Sequence, residues 1–214
     1  MAGTPLRIAC LGLLLLGSHA RAATVTIQIS DTGGRPAANA VVALAPEGAA
    51  ETTPSSLPIE AIVDQRKETF IPLVTIIRKG GHVVFTNNDT TMHQVYSFSP
   101  TKQFELEIDE SHRSAPVVFD KAGVAAIGCN IHDHMITYVF VADTPWAAMA
   151  DHAGRAQIAN IPNGRYHVEI WHPQLVPGRP NPSSTIDATG DVKIALSIPL
   201  LMASSAKRMH MGSY

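Results

Sequence analysis

Residues 124–142, VAAIGCNIHDHMITYVFVA, contain two short apolar runs joined by a polar loop. The runs, VAAIGC and MITYVFVA, are rich in β-branched and aromatic residues and lack the period of about 3.6 residues that marks an amphipathic helix. They therefore predict two β-strands. Cys129 and Met135 stand at the two ends of the loop between these runs, and His132 lies within it.

Runs of the same kind continue on both sides of this pair, with turn residues between them and roughly regular spacing. We expect strands within TVTIQIS, AVVALAP, TFIPLVTIIRK, HVVFTNND, HQVYSFS, FELEI, PVVFD, GRAQIANIPNGRYHVEIW and DVKIALSIPLL. The stretch from Trp146 to Ala153 is the one segment that we expect to form a helical turn. The pattern as a whole favours an all-β sandwich or barrel.

The composition is that of a folded globular protein. The chain has 214 residues, of which 45% are hydrophobic and 16% are charged, and its net charge is -2. Intrinsic disorder requires low hydrophobicity and high net charge. A nucleic-acid-binding protein would be expected to carry a strongly basic face, so neither class fits. The length allows one large domain or two small ones.

The N-terminus has the pattern of a secretory signal peptide, covering residues 1–22. Arg7 precedes an apolar run, and Ala20 and Ala22 form a small-x-small cleavage site. The apolar run is well short of the roughly 20 residues that span a bilayer, so we expect no transmembrane segment in the mature chain. Cleavage after Ala22 removes Cys10 and leaves Cys129 as one unpaired thiol in an oxidising compartment.

The loop after the first strand of the opening stretch has the donor types of a copper site. Cys129 and Met135 supply a thiolate and a thioether, a soft pair that selects copper, whereas structural zinc prefers Cys and His. His132 adds one imidazole, and His93, which opens the run HQVYSFS, is the candidate for a second. Two histidines, one cysteine and a weak axial methionine form the ligand set of a blue-copper site.

Other interpretations of these residues remain open. A lone cysteine is commonly a buried inert thiol, and His93 has the alternative of an ordinary strand histidine. Met135 has the alternative of packing in the core beneath the next strand, with His134 as the rival ligand. The Met209-His210-Met211 tail has the alternatives of transient copper binding and of no metal role.

The segments FTNND, HQVYSFSPTKQFEL, GCNIHDHM and VADTPW resemble the cupredoxins, more closely the periplasmic plastocyanin-like proteins labelled methylamine utilization proteins. The short Cys-x-x-His-x-x-Met spacing is similar to that of amicyanin. The resemblance covers about residues 58–145 and implies a Greek-key β-sandwich, a periplasmic location and one type 1 copper. The ligands that it implies are His93, Cys129, His132 and Met135.

This chain departs from the family's pattern at two positions next to the ligands. Ile131 precedes the loop histidine where plastocyanin and amicyanin carry proline, and Gln94 follows the first histidine where they carry asparagine. Neighbours of metal ligands tune their orientation and the reduction potential. We therefore expect a copper site whose potential need not match that of plastocyanin.

The segments on either side resemble the two parts of a carboxypeptidase-regulatory-like β-sandwich. VTIQISDTGGRPAANAVVALAP is similar to its opening, and MADHAGRAQIANIPNGRYHVEIWHP to its later hairpin. The resemblance implies a domain formed by residues 24–48 and 146–200, with the cupredoxin inserted between them. A mobile tail, residues 201–214, is expected to follow. The alternative is that residues 24–46 add strands to the cupredoxin and that the C-terminal third is a separate appendage.

The expected function is transfer of single electrons by a mononuclear type 1 copper protein, without catalysis. Its partner would be a transient protein redox partner that contacts the surface around His132. The alternative is a carrier or storage protein that hands on copper to an exchange partner instead of electrons. Copper enzymes of the oxidase or reductase kind need further histidine clusters, and only His132-x-His134 has that form, inside the ligand loop itself.

Overall fold

A computed structural model describes residues 22–48, 55–176 and 178–201, and within them the chain is all-β, as predicted. Residues 1–21 of the predicted signal peptide, with Cys10, and residues 202–214 of the predicted mobile tail, with its Met-His-Met sequence, lie outside the described residues. None of the described residues belongs to a helix that is long and apolar enough to cross a membrane. The strands are β1 (Ala23–Asp31), β2 (Val41–Pro46), β3 (Glu60–Gln65), β4 (Phe70–Ile71), β5 (Val74–Arg78), β6 (His82–Asn87), β7 (His93–Ser99), β8 (Lys102–Ile108), β9 (Val117–Val118), β10 (Gly123–Cys129), β11 (Ile136–Ala142), β12 (Trp146–Met149), β13 (Arg155–Ile161), β14 (Gly164–Trp171), β15 (Ser183–Ala188) and β16 (Val192–Ile198).

The strands form two pairs of sheets. The inner sandwich consists of the sheets β5-β11-β10-β7-β8 and β4-β3-β6-β9, all from the middle of the chain. The outer sandwich consists of β13-β1-β16 and β12-β2-β14-β15, which combine strands from both ends of the described chain. Strand β2 pairs directly with β12, although the whole inner sandwich lies between them in sequence. The domain boundaries and the likeness of the outer sandwich to a carboxypeptidase-regulatory module stay predictions.

Each sandwich has its own apolar core, and a third cluster joins the two. The inner core includes Phe85 and Phe119, both fully buried. In the joining cluster, Trp171 of the outer sandwich contacts the rings of Tyr138 and Phe140 on β11, at centroid distances of 5.3 and 6.2 Å. Strand β11 is therefore packed on both faces, and the loop that precedes it ends at a fixed strand.

The structure contradicts two of the segment predictions, and it also contains strands β3 and β15, which the sequence did not predict. The helical turn expected from Trp146 to Ala153 is wrong, because residues Trp146–Met149 pair with β2 and the Trp146 ring packs edge-on against Tyr166 at 5.5 Å. The run TFIPLVTIIRK, expected as one strand, is divided at Pro72 into β4 and β5, which lie in different sheets. In both places the pairing with neighbouring strands, and not the local run of residues, decides which residues form a strand.

Two turns of the outer sandwich share the pattern Asp-x-x-Gly-Arg. The Asp31 carboxylate accepts hydrogen bonds from the backbone N–H groups two and four residues ahead, and Asp151 does the same in its own turn. These bonds lower the pKa of each carboxyl below its usual value. The fourth residue of each turn is left-handed, with φ of 80° at Gly34 and 75° at Gly154. Left-handed backbone favours glycine, which has no Cβ to clash.

Replacement by alanine should lower the free energy of unfolding by different amounts at Gly34 and Gly154. Gly34→Ala meets nothing within 4 Å and should cost about 1–2 kcal/mol, the penalty of left-handed backbone alone. A Cβ at Gly154 overlaps the Ile29 carbonyl oxygen and lies 3.0 Å from the Ala37 nitrogen. Gly154→Ala should therefore cost about 2–4 kcal/mol, because overpacking adds to the backbone penalty. Urea denaturation of both variants measures the difference, and equal costs would contradict the close approach of these backbones.

His172 ties the end of β14 to the loop after β1. Its Nε2–H donates to the Ala38 carbonyl at 3.0 Å, and its Nδ1 accepts from the Gln174 N–H at 3.0 Å. Burial lowers the pKa of His172 below its usual value of 6.5, and the bond to Ala38 offsets part of that effect. The ring is therefore held neutral in the folded protein.

This neutral histidine predicts that stability falls as the pH drops through about 6.5, the ordinary histidine pKa that the unfolded chain retains. Below that pH the unfolded chain binds a proton that the folded chain does not, so unfolding is favoured by at most about 1.4 kcal/mol per pH unit. Urea denaturation of the wild type and of His172→Gln between pH 5 and 8 isolates this contribution. A difference between the two proteins that does not change with pH would contradict it.

Candidate metal centre

Three of the four predicted ligands meet at one end of the inner sandwich. Cys129 ends β10, and its neighbouring strand β7 begins with His93. His132 lies in the loop that leads from β10 to β11. The adjacent strands bring Cys129 and His93 together, although 36 residues separate them in sequence.

The donor atoms of these three residues are close enough to contact one ion. The ligand atoms of Cys129, His93 and His132 lie within 4.8 Å of one another. The Cys129 Sγ is 3.5 Å from the His93 Nδ1, and the two imidazole rings have a centroid distance of 5.1 Å. Cys129 and His93 are 3% and 0% exposed, whereas the His132 side chain is 19% exposed. His132 is thus the ligand candidate with access to solvent.

An unsatisfied nitrogen supports metal binding at this place. The Nδ1 of His132 is buried and has no hydrogen-bond partner among the described residues. A buried polar atom that lacks a partner costs about 1–3 kcal/mol, and a bound ion or an ordered water is one explanation for such an atom. Copper fits the set, because one thiolate and two imidazoles are its preferred donors. A bound metal ion would satisfy the His132 Nδ1.

Met135 and its rival His134 have different surroundings. Met135 is 2% exposed and lies in the same apolar core as Cys129, and its backbone N–H donates to the His132 carbonyl at 3.0 Å. The His134 side chain is 64% exposed, and its Nε2 lies 3.9 Å from a Glu68 oxygen. Burial beside Cys129 therefore favours Met135 over His134 as the fourth ligand, and that role stays a prediction.

Asp89 is a functional candidate that the sequence analysis did not identify. The Nε2–H of His93 donates to the Asp89 carboxylate at 3.0 Å. A histidine that donates from Nε2 keeps the lone pair of Nδ1 free, and here the Nδ1 faces Cys129. A carboxylate in this position is a common partner of metal-binding histidines. The usable signal was an aspartate at a strand end, four residues before a candidate ligand.

The Asp89 carboxylate also fastens the turn between β3 and β4. It accepts from the backbone N–H of Lys67 and, at 2.9 Å, from that of Glu68. Burial raises the pKa of Asp89, but the hydrogen bonds from Glu68, His93 and Lys67 outweigh burial and hold it below its usual value of 3.8. Asp89 is therefore ionised at neutral pH, as its role of accepting three hydrogen bonds requires.

The motif FTNND has a structural explanation. Asn87 is 1% exposed, and its Nδ2 donates to the carbonyls of Thr91 and Ile108 at 2.8 and 2.9 Å. Its Oδ1 accepts from the Asp89 N–H at 2.9 Å. One buried amide thus shapes the loop that places Asp89 beside His93.

The structure shows the contacts of Gln94 and the exposure of Ile131, the two residues at which the sequence departs from the cupredoxin pattern. Gln94 accepts from the Asn130 side chain at 2.7 Å and donates to Glu105 at 2.6 Å, so it links the residue after Cys129 to strand β8. Ile131 is 47% exposed. The first departure supports the ligand loop, and the second adds apolar surface beside His132.

Comparison with known proteins gives matches to solved structures alone, since no family profile and no curated protein sequence matches the chain. A reduced amicyanin variant is 20% identical, over 38% of this chain and 80% of its own, with a TM-score of 0.34. A purple cupredoxin from Nitrosopumilus maritimus is 23% identical, over 38% and 99%, with a TM-score of 0.34. The copper-containing nitrite reductase of Thermus scotoductus SA-01 is 21% identical, over 47% and 26%, with a TM-score of 0.38. At these TM-scores the likeness establishes no shared function or ligand.

The hydrogen bond from His93 predicts the effect of Asp89→Asn. The substitution removes the charge that holds the Nε2–H of His93, so copper affinity should fall by about 10- to 100-fold, as for other outer partners of metal ligands. Competition against a chromophoric Cu(I) chelator measures the change. Asp64→Asn is the matched control, because Asp64 bonds Thr86 and Asn88 in the same region and contacts no candidate ligand. An equal loss in both variants would show a general loosening of the loop.

Proposed function

We propose that this protein is an exported type 1 copper protein of the cupredoxin kind that transfers single electrons between redox partners. The observation that carries the proposal is the set of three close donor atoms with an unpartnered His132 Nδ1 among them. The proposed ligands are His93, Cys129, His132 and Met135, for one copper ion per chain. The signal-peptide pattern of residues 1–22 supports export, and the proposed location is the periplasm.

The bound copper ion would supply a one-electron couple. The chain's contribution is a fixed geometry. Cys129 and His93 are held by paired strands, the buried Asn87 shapes the loop before His93, and Asp89 fixes the tautomer of that ring. Donor groups that are held in this way form a preorganised site, which suits the proposed exchange of an electron.

The surface around His132 suits a transient redox partner. Four exposed apolar side chains lie in the segments around His132: Ile71, Leu73, Ile131 and Ile136 are 48%, 40%, 47% and 44% exposed. The Thr137 hydroxyl donates hydrogen bonds to the carbonyls of Pro72 and Leu73 at 2.9 and 3.2 Å. These bonds attach the β4–β5 connection to β11, the strand that follows Met135. Short-lived redox encounters bury less than about 1,200 Å², so exposed side chains of this number can contribute to such an interface.

Catalysis is not part of the proposal. A copper enzyme of the oxidase or reductase kind would need a second group of histidines. Among the described residues, the one group of three or more His, Cys, Asp or Glu side chains that could hold a metal ion is His93, Cys129 and His132. His134, two residues after His132, has a largely exposed side chain whose Nε2 lies 3.9 Å from a Glu68 oxygen.

The alternative function is carriage or storage of copper through the same residues. The observation that favours it is the exposure of His132, since a ligand that is reachable from solvent is also a point of metal exchange. A copper carrier should give up Cu(I) to a mild chelator within seconds. An electron carrier should retain it through repeated oxidation and reduction.

The visible spectrum tests the proposal. Wild-type protein loaded with Cu(II) should show the intense charge-transfer band of a thiolate–copper bond. Cys129→Ser should abolish that band, with little change in far-ultraviolet circular dichroism, because a hydroxyl of similar size replaces the thiol. Met135→Leu is the matched control within the loop: it keeps the apolar volume and should shift the band without removing it. A copper-loaded wild type that lacks the band would refute the type 1 assignment.

A further inference from the structure

The turn between β3 and β4 is strained at its two central residues. The Arg66 N–H donates to the Thr69 carbonyl at 3.0 Å, so Lys67 and Glu68 are the central residues of a two-residue turn. Both are left-handed, with φ of 53° and 52°. Turns of this type favour Asn-Gly, because other side chains are disfavoured in left-handed backbone.

Asp89 offsets this strain. Its carboxylate accepts hydrogen bonds from the N–H groups of both Lys67 and Glu68. Asn-Gly would form the same turn without such help. The need for a turn alone therefore does not account for the sequence Lys-Glu.

The turn presents Glu68 to the outer side of the proposed copper site. One carboxylate oxygen lies 3.7 Å from the Nε2 of His132, and the other lies 3.9 Å from the Nε2 of His134. These distances are too long for direct hydrogen bonds, but they place the carboxylate next to the polar Nε2 edge of each ring. The Nδ1 of His132, on the opposite side of the ring, is the buried unpartnered atom.

We propose that Glu68 is a positioning residue for His132, and this inference rests on the proposed copper function. Glu68 attracts the Nε2–H edge of His132 and so keeps the Nδ1 directed at Cys129, as Asp89 does for His93. The two histidines would then each have a carboxylate at Nε2. Because Asp89 also holds the turn that carries Glu68, its carboxylate acts on both rings, directly on His93 and through the turn on His132.

Three variants separate the effect of the Glu68 carboxylate from the effect of the turn that carries it. Glu68→Gln removes the charge and keeps the backbone. The double variant Lys67→Asn/Glu68→Gly removes the carboxylate and replaces the strained residues by the preferred pair, whereas Lys67→Asn alone leaves Glu68 in place. The measurements are the Cu(I) dissociation constant by chelator competition, the thermal midpoint of the metal-free protein, and the ¹⁵N and ¹H signals of the His132 ring in the metal-free protein.

We expect the double variant to have a higher thermal stability than the wild type but a lower affinity for Cu(I). The double variant should unfold at a higher temperature than the wild type, because glycine relieves the left-handed strain. It should nevertheless bind Cu(I) about 10-fold more weakly, as should Glu68→Gln, and its His132 signals should broaden or shift. Lys67→Asn should leave both copper affinity and the His132 signals unchanged. Unchanged affinity and unchanged His132 signals in the double variant would overturn the proposal.

His134→Gln serves as the second control. If Glu68 acts on His132, removal of His134 should leave the affinity and the His132 signals as in the wild type. A loss equal to that of Glu68→Gln would assign the effect to the Glu68–His134 contact and overturn the proposal. The signals of metal-free His132 keep this test separate from the proposed function, since they report its orientation even if the wild type lacks a thiolate–copper band.

Discussion

The carboxylate of Asp89 is the point on which the proposed metal centre depends. It accepts hydrogen bonds from the side chain of His93 and from the backbone of Lys67 and Glu68. A charged acceptor forms stronger hydrogen bonds than a neutral one, and a carboxylate with three donors has little freedom to move. Its position is set in turn by the buried amide of Asn87. A chain of hydrogen bonds thus runs from the end of β6 to a proposed ligand and to the strained turn over the site.

The sheets supply the rest of the rigidity. Cys129 stands at the end of β10, between its neighbours β7 and β11. The far face of β11 is covered by Trp171 of the outer sandwich, so the closing strand of the ligand loop is packed from both sides. The insertion of the inner sandwich between the paired strands β2 and β12 fixes both of its ends. A site built from strand ends and one short loop changes shape little, which suits the exchange of an electron.

Local patterns predicted the strands well where a run was long and bounded by turn residues. They failed where pairing decided the outcome. Residues Trp146–Met149 become a strand because β2 offers them a partner, and β3 and β15 were not expected because their polar residues hide the alternation. The side chains of Asp89 and Glu68 escaped notice for a related reason: neither belongs to a spacing motif, and each gains its meaning from a residue that is distant in sequence.

By itself, the sequence determined the all-β class and the spacing of Cys129, His132 and Met135, because alternation and ligand chemistry are local properties of the chain. It also pointed to His93, through its place at the start of a strand. The tertiary structure alone decided that His93 and His132 lie beside the Cys129 thiol. It alone decided that a carboxylate faces the outer nitrogen of each histidine. The physical reason is that sheet pairing and backbone hydrogen bonds join segments that are far apart in the chain, and no local pattern records which segments will meet.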